Sequence, residues 1–308
     1  MLCIRVTKSG TQLEQSEAPQ PQPGKGEVLV RVRAAGVTPT ELQWSPTTQT
    51  REGTPRIGAI PGHEFSGIVV AAGDAVDPAI VGREVYGMND WFADGATAEF
   101  CLTQPQSIAS KPATISHELA STVPISALTA WQGLFDRCNL RSGERVLVHG
   151  GSGAVGLFAV QLARHHSAHV IATASAQKSE FVKQLGAEQV IDYRTSRFEK
   201  ELDPVDVVFD TVGGDTLDRS WNMLKPGGRL VTIASQGEST TDKRTKDAFF
   251  IVESNANQLT QVAQLIDQGN LKTFMSVSVP LSQAADAYLN PSTSASAIGK
   301  AVISISTT

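Results

Sequence analysis

Residues 150–156 read Gly-Gly-Ser-Gly-Ala-Val-Gly, so Gly151, Gly153 and Gly156 fall at the spacing G-x-G-x-x-G. That spacing suits a pyrophosphate. The first glycine permits a tight turn, the second lets the phosphates approach the backbone, and the third lets a helix pack closely on a strand. The phosphates then rest on backbone N–H groups from Ser152, Ala154 and Val155 at the positive end of that helix. A second set follows about 20 residues on, where a dinucleotide site of the NAD type places Asp or Glu for the ribose 2′-OH. Here the chain reads Ala172-Thr173-Ala174-Ser175-Ala176-Gln177-Lys178, without a carboxylate. A carboxylate would repel a 2′-phosphate, whereas the Ser175 hydroxyl and the Lys178 ammonium attract one. The chemistry implied is the binding of NADPH.

Such residues need a strand before the glycines and a helix after them. Val146, Leu147 and Val148 form a short apolar run, the mark of a strand buried on both faces. Val155, Phe158, Ala159 and Leu162 then recur at i, i+3, i+4 and i+7, an apolar helical stripe. The same alternation continues downstream. It predicts strands at 145–149, 169–173, 189–192, 205–210, 229–234 and 248–252, with helices at 154–165, 177–185, 215–224 and 257–268. Six strands with intervening helices imply a doubly wound parallel sheet of order 3-2-1-4-5-6.

The N-terminal part has another texture. Val28, Val30 and Val32 alternate with Leu29, Arg31 and Arg33, the period of a half-exposed strand. Further short strands are expected around Ile4–Thr7, Ile60–Ala72, Val81–Met88 and Ala96–Leu102, joined by glycine and proline turns. This reads as an irregular β-barrel. Strand texture returns after Leu271, so the barrel domain is discontinuous: 1–117 with 272–308, around a dinucleotide-binding domain at 118–271.

Composition excludes other classes. Apolar residues make up 41% and charged residues 19%, as in a soluble globular chain, and the net charge is −5 with no basic run, against nucleic-acid binding. Cys3, Cys101 and Cys138 are too few and too scattered for a disulfide framework or a zinc knot. No signal peptide and no run of some 18 apolar residues is visible, so a cytoplasmic protein off the membrane is expected.

The ordered series EVLVRVRAAGV, GHEFSGIVVAAG, GREVYGM, LTAW, VLVHGGSGAVG, FDTVGG, LKPGGRLV and GKAV resembles the medium-chain dehydrogenase/reductase superfamily across nearly the whole chain. Within it the chain is most similar to the zinc-independent quinone oxidoreductases and enone reductases. The resemblance implies a GroES-like barrel domain, a Rossmann domain and an active site between them. It adds Tyr193 as a third contact of the 2′-phosphate and Thr129 near the nicotinamide. It also places Thr211 and Val212 beside the ribose, Phe249, Phe250 and Ile251 along the carboxamide, and Lys300 at the pyrophosphate. The zinc enzymes of this superfamily carry Cys where Thr38 stands here, His at His63, and a third cysteine in the segment that here reads Pro124–Trp131. One ligand of three cannot hold catalytic zinc, so no metal is expected. His63 and Glu64 are then structural.

Without zinc to polarise an unactivated carbonyl, the acceptor must already be electrophilic: a quinone or an α,β-unsaturated carbonyl compound. Thr38, Thr40, Asn89 and Trp91 are the candidate donors for positioning it, with Tyr86 nearby. The family often has Asn at the position of Thr38. No side chain stands out as a general acid. A zinc-type alcohol dehydrogenase and a non-catalytic NADPH-binding protein stay open as other readings. Finally, Asp247–Glu253 (DAFFIVE) should be the last strand of the parallel sheet, apolar on both faces. Such an edge invites pairing with a second copy, hence a homodimer through residues 247–253.

Overall fold

The protein is described here from a computed structural model covering residues 1–7, 12–234, 237, 240–289 and 297–305. It divides into two compact units, Met1–Ile125 with Glu253–Thr308, and Ser126–Val252. The expected boundaries at 117/118 and 271/272 therefore move. Helix Ala256–Asp267, expected among the Rossmann helices, groups with the first unit. The reason lies in its contacts. Leu259, Val262 and Ile266 are buried. The Leu259 carbonyl accepts the Tyr86 hydroxyl at 2.6 Å. Asp267 closes the helix by accepting the Thr114 N–H at 3.0 Å and the Thr114 hydroxyl at 2.8 Å.

The first unit is built on a seven-stranded sheet. Its path runs Met275–Pro280, Lys300–Ser304, Val28–Gly36, Glu64–Ala72, Glu84–Met88 and Ile108–Ser110, while Phe100–Thr103 also pairs with Val28–Gly36. Only the first pair is parallel. Val28, Val30 and Val32 turn inward with Phe65, Val69, Val85, Ile108 and Ile303, and Arg31 and Arg33 stay half-exposed, as the alternation predicts. A separate hairpin pairs Leu2–Val6 with Leu13–Glu17.

The second unit carries a five-stranded parallel sheet in the order Gln189–Asp192, His169–Ala174, Arg145–Val148, Val205–Asp210, Leu224–Thr232. This is the expected order 3-2-1-4-5. The sixth strand at 248–252 does not form. Asp242 caps a helix, Lys243–Ala248, by accepting the Arg244 N–H at 2.9 Å, and the helix consumes the start of that segment. What remains meets the sheet at one parallel bridge, Thr232 to Phe249. Before this sheet the chain forms two short helices, His117–Ser121 and Pro124–Trp131, divided because Pro124 cannot continue the first. A π-helical turn, Gln132–Arg137, follows, with Gly133 against the Phe209 ring, where an added Cβ would lie 2.3 Å away. Among the described residues no helix is long and apolar enough to cross a membrane.

Candidate functional site

In the second unit, strand Arg145–Val148 delivers the chain to His149 and then to a left-handed turn at Gly150 (φ 73°). The sequence assigns the turn to Gly151, and the structure places it one residue earlier. Gly151 serves packing instead: a Cβ there would come within 2.8 Å of the Ala172 Cβ. At Gly156 a Cβ would lie 2.1 Å from the Gly150 carbonyl oxygen, so the third glycine does let helix Gly156–His165 close on the strand. That helix begins two residues later than expected. The Gly153 N–H donates to the Gly150 carbonyl at 2.9 Å, while the Ala154 and Val155 N–H groups have no backbone acceptor among the described residues. Ser152, Ala154 and Val155 are only partly buried. A glycine-lined cradle heading a helix fits a dinucleotide pyrophosphate.

Three neighbouring segments are tied to this loop. His149 is fully buried, with Nδ1 3.3 Å from the Thr173 hydroxyl and Nε2 2.9 Å from the Ser220 hydroxyl. Thr173 Oγ1 also accepts the Gly150 N–H at 3.1 Å. The Thr211 hydroxyl donates to the His149 carbonyl at 2.8 Å, which occupies the side chain expected beside the ribose. Asp210 is buried and accepts Thr232 Oγ1 (2.7 Å), the Val212 N–H (3.1 Å) and the Gly213 N–H (3.0 Å), so it shapes the loop that presents the exposed Val212. Burial raises its pKa against those bonds.

On the ribose side, Ser175 ends strand His169–Ala174 and does not cap the helix that follows, and its carbonyl accepts the Lys178 N–H at 2.9 Å. Tyr193, 59% exposed, follows the adjacent strand Gln189–Asp192, and the Arg194 guanidinium lies 5.7 Å over its ring. Sequence reasoning missed Arg194, although a second cation one residue past Tyr193 was there to be weighed. It also missed His149, Thr173 and Asp210, whose partners are distant in sequence. Thr129 is buried in helix Pro124–Trp131. Phe250 is buried beneath the Arg137 guanidinium (5.3 Å), and Phe249 and Ile251 are half-buried.

In the first unit, Thr38, Glu64 and Lys300 come together. Lys300 pairs with Glu64 and donates to Thr38 Oγ1 at 3.2 Å, and the Thr38 hydroxyl lies 3.4 Å from Glu64 Oε1. Glu64 Oε2 accepts the Ile125 N–H at 3.0 Å. Burial raises the Glu64 pKa, and Lys300 opposes that shift. Lys300, expected at the pyrophosphate, is thus engaged within its own unit. His63 is also spent internally: Nδ1 meets Glu41 at 2.8 Å and Nε2 the Ala93 carbonyl at 3.2 Å. Thr40 is exposed on the short helix Pro39–Gln43. Tyr86 is committed to Leu259. Asn89 is buried, donates to the Asp94 carbonyl at 3.2 Å, and lines a cavity of about 500 Å³ with Arg5, Arg51 and Phe92. Neither Thr38 nor Thr40 lines that cavity. Among the described residues no three His, Cys, Asp or Glu side chains converge as a metal would require.

A glycine-cradled parallel sheet in one unit and an antiparallel strand unit interrupted by it define the class, a two-part oxidoreductase fold for a nicotinamide dinucleotide. Family models agree: one described as an alcohol dehydrogenase GroES-like domain matches residues 24–115, and one described as a zinc-binding dehydrogenase matches residues 185–303. A probable zinc-binding mitochondrial oxidoreductase of Arthroderma benhamiae is 34% identical over 88% of this chain and 86% of its own. The chloroplastic NADPH-dependent alkenal/one oxidoreductase of Arabidopsis thaliana is 32% identical over 94% of this chain and 75% of its own. The structure of the quinone oxidoreductase from Coxiella burnetii superposes with a TM-score of 0.88 at 28% identity, covering 99% of both chains. The chain belongs to the medium-chain dehydrogenase/reductase superfamily of oxidoreductases, in its quinone oxidoreductase branch.

Two outcomes follow from buried charge. Lys300→Met should destabilise the protein by about 3–5 kcal/mol in urea titrations, because Glu64 is left uncompensated, and adding Glu64→Gln should recover most of that loss. Burial first, then the Arg219 charge, lowers the His149 pKa from 6.5 to about 3. The unfolded chain binds that proton below pH 6.5 and the native one does not, so this histidine costs about 1.4 kcal/mol of stability per pH unit as pH falls through that window. A His149→Gln variant should show a correspondingly shallower acid limb by chemical denaturation between pH 4 and 6.

Proposed function

We propose that the protein is an NADPH-dependent, zinc-independent oxidoreductase that transfers hydride to a quinone or an α,β-unsaturated carbonyl compound. The observation that carries the cofactor is the ribose-side end of the sheet. Ser175 and Lys178 share one turn, Tyr193 and Arg194 follow the next strand, and no carboxylate stands at the end of strand His169–Ala174. Cations and hydroxyls there favour a 2′-phosphate. The alkenal/one relative is named for the same cofactor. NADPH supplies the hydride, and the protein supplies binding and alignment.

The acceptor reading rests on Thr38. Lys300 Nζ beside the Thr38 hydroxyl puts an ammonium where a bound metal cation would be repelled, and both His63 ring nitrogens already face Glu41 and Ala93. Thr38 is half-buried, accepts from the Lys300 ammonium, and donates to Glu64 only across 3.4 Å, so its single hydrogen can turn to a stronger acceptor. Its role is to hold the enolate oxygen that forms when hydride adds to a conjugated carbonyl.

Turnover of NADPH against a panel of enones, quinones and aldehydes tests the activity. Reduction of the enones or quinones, retained after dialysis against a strong chelator, is the expected result. Activity confined to aldehydes, or lost with a stoichiometric metal, would overturn the reading. Lys178→Ala should raise the NADPH Kd about tenfold and the NADH Kd less than about twofold, because only NADPH has the phosphate.

The same reading carries a homodimer through residues 247–253. Among the described residues, the sheet beyond strand Leu224–Thr232 meets only the bridge at Phe249, and Phe249 and Ile251 are half-buried. Light scattering at micromolar concentration should give twice the mass of the chain; a single-chain mass at low salt counts against it.

A further inference from the structure

His149 was absent from the chemistry read in the sequence, and its surroundings explain why a buried histidine precedes the phosphate loop. The hydrogens in this network can be assigned from the partners. The Ser220 hydroxyl donates to the Thr216 carbonyl at 2.6 Å, so its oxygen must accept from His149 Nε2–H. Thr173 Oγ1 accepts the Gly150 N–H, so its own hydrogen is free to point to His149 Nδ1. The imidazole is therefore the neutral Nε2–H tautomer, donor on one side and acceptor on the other. One uninterrupted chain results: Gly150 N–H to Thr173 hydroxyl, to His149, to Ser220 hydroxyl, to the Thr216 carbonyl. The Phe198 ring, 4.6 Å from the imidazole, closes its face.

This chain meets parts of the dinucleotide cradle at Gly150, Thr173 and His149. Gly150 opens the phosphate loop, and the Gly151 N–H reinforces the link by donating to the Thr173 carbonyl at 2.9 Å. Thr173 stands two residues before Ser175. The His149 carbonyl accepts Thr211, which begins the loop held by Asp210. We propose that His149 is the positioning residue of the dinucleotide site: its neutral imidazole, through Thr173, sets the pyrophosphate loop and the ribose-side strand in one fixed register, without touching the cofactor. This rests on the reading of the unit as a nicotinamide-dinucleotide site. The consequence is specific. Residues that meet the 2′-phosphate discriminate NADPH from NADH, whereas a residue that sets the cradle's register acts on what the two cofactors share.

The test uses the full-length protein with three variants. Thr173→Val keeps the volume and removes both hydrogen bonds, His149→Phe keeps a ring and removes its nitrogens, and Thr173→Ser restores the hydroxyl. Dissociation constants for NADPH and NADH are measured by quenching of intrinsic fluorescence, and exchange of the Gly150 and Gly151 amides by NMR. Thr173→Val and His149→Phe should each raise both constants about tenfold, the equivalent of one net hydrogen bond, with their ratio unchanged. Thr173→Ser should restore wild-type binding, and amide exchange at Gly150 and Gly151 should accelerate in step with the lost affinity. Unchanged binding of both cofactors in folded Thr173→Val overturns the proposal, as does a loss confined to NADPH. If His149→Phe does not fold, Thr173→Val decides. If the wild-type protein binds neither cofactor, the dinucleotide reading falls instead, and the amide exchange alone decides whether His149 holds the loop: unchanged exchange rejects it.

Discussion

A carboxylate with no exposed surface has to be paid for, and Glu64 is such a group. Taking it out of water costs several kcal/mol unless a cation and hydrogen bonds replace the solvent. Here the cation comes from Lys300 and one bond from the Ile125 N–H, while Thr38 completes the cluster. These residues arrive on separate elements: Thr38 past the end of strand Val28–Gly36, Glu64 at the start of the next strand, Lys300 opening a strand near the C-terminus. The sheet that brings them together is thereby bound to one register, since slipping a strand by one residue would send a charged side chain to the wrong face. Gly36 completes the fit, because a Cβ there would lie 2.5 Å from the Ser121 carbonyl and 2.7 Å from Glu64.

The second unit answers a similar problem with neutral groups. Its polar interior holds mostly hydroxyls and amides, with one imidazole, His149, and one carboxylate, Asp210. Asp210 relies on Thr232 and two backbone N–H groups. The hydroxyl and imidazole chain through His149 adds no charge beside the glycine loop and satisfies its groups with one another. The cations on the ribose side, Lys178 half-buried and Arg194 exposed, stand outside that interior.

Much of this was legible in the amino-acid order. The parallel sheet was readable because its buried strands are short apolar runs separated by helical stripes. The cradle was readable because only glycine permits the approach of Gly156 to Gly150. Local pattern failed where a residue's meaning depends on a distant partner. Lys300 reads as a surface cation until Glu64, 236 residues earlier, is placed beside it. His149 reads as one more residue of a strand end, since Thr173 and Ser220 carry no local signal for it. The run Phe249–Val252 has strand composition, but the Asp242 cap and helix Lys243–Ala248 give it only one pairing position. Helix Ala256–Asp267 has the periodicity of a Rossmann helix, and only Tyr86 and Thr114 show which unit claims it.

The strand Lys300–Ser304 pairs Val302 with Gly36 and Ile303 with Ala35. The first unit is therefore finished only after the whole of the second has been synthesised. During synthesis residues 1–125 emerge with an open sheet edge at 34–36 and an acid, Glu64, still lacking its cation. The contiguous unit at 126–252 can meanwhile complete its local strand–helix–strand contacts. Vulnerability to aggregation is concentrated in that interval, and a nascent chain stalled before Lys300 would hold a formed nucleotide fold joined to an unclosed barrel.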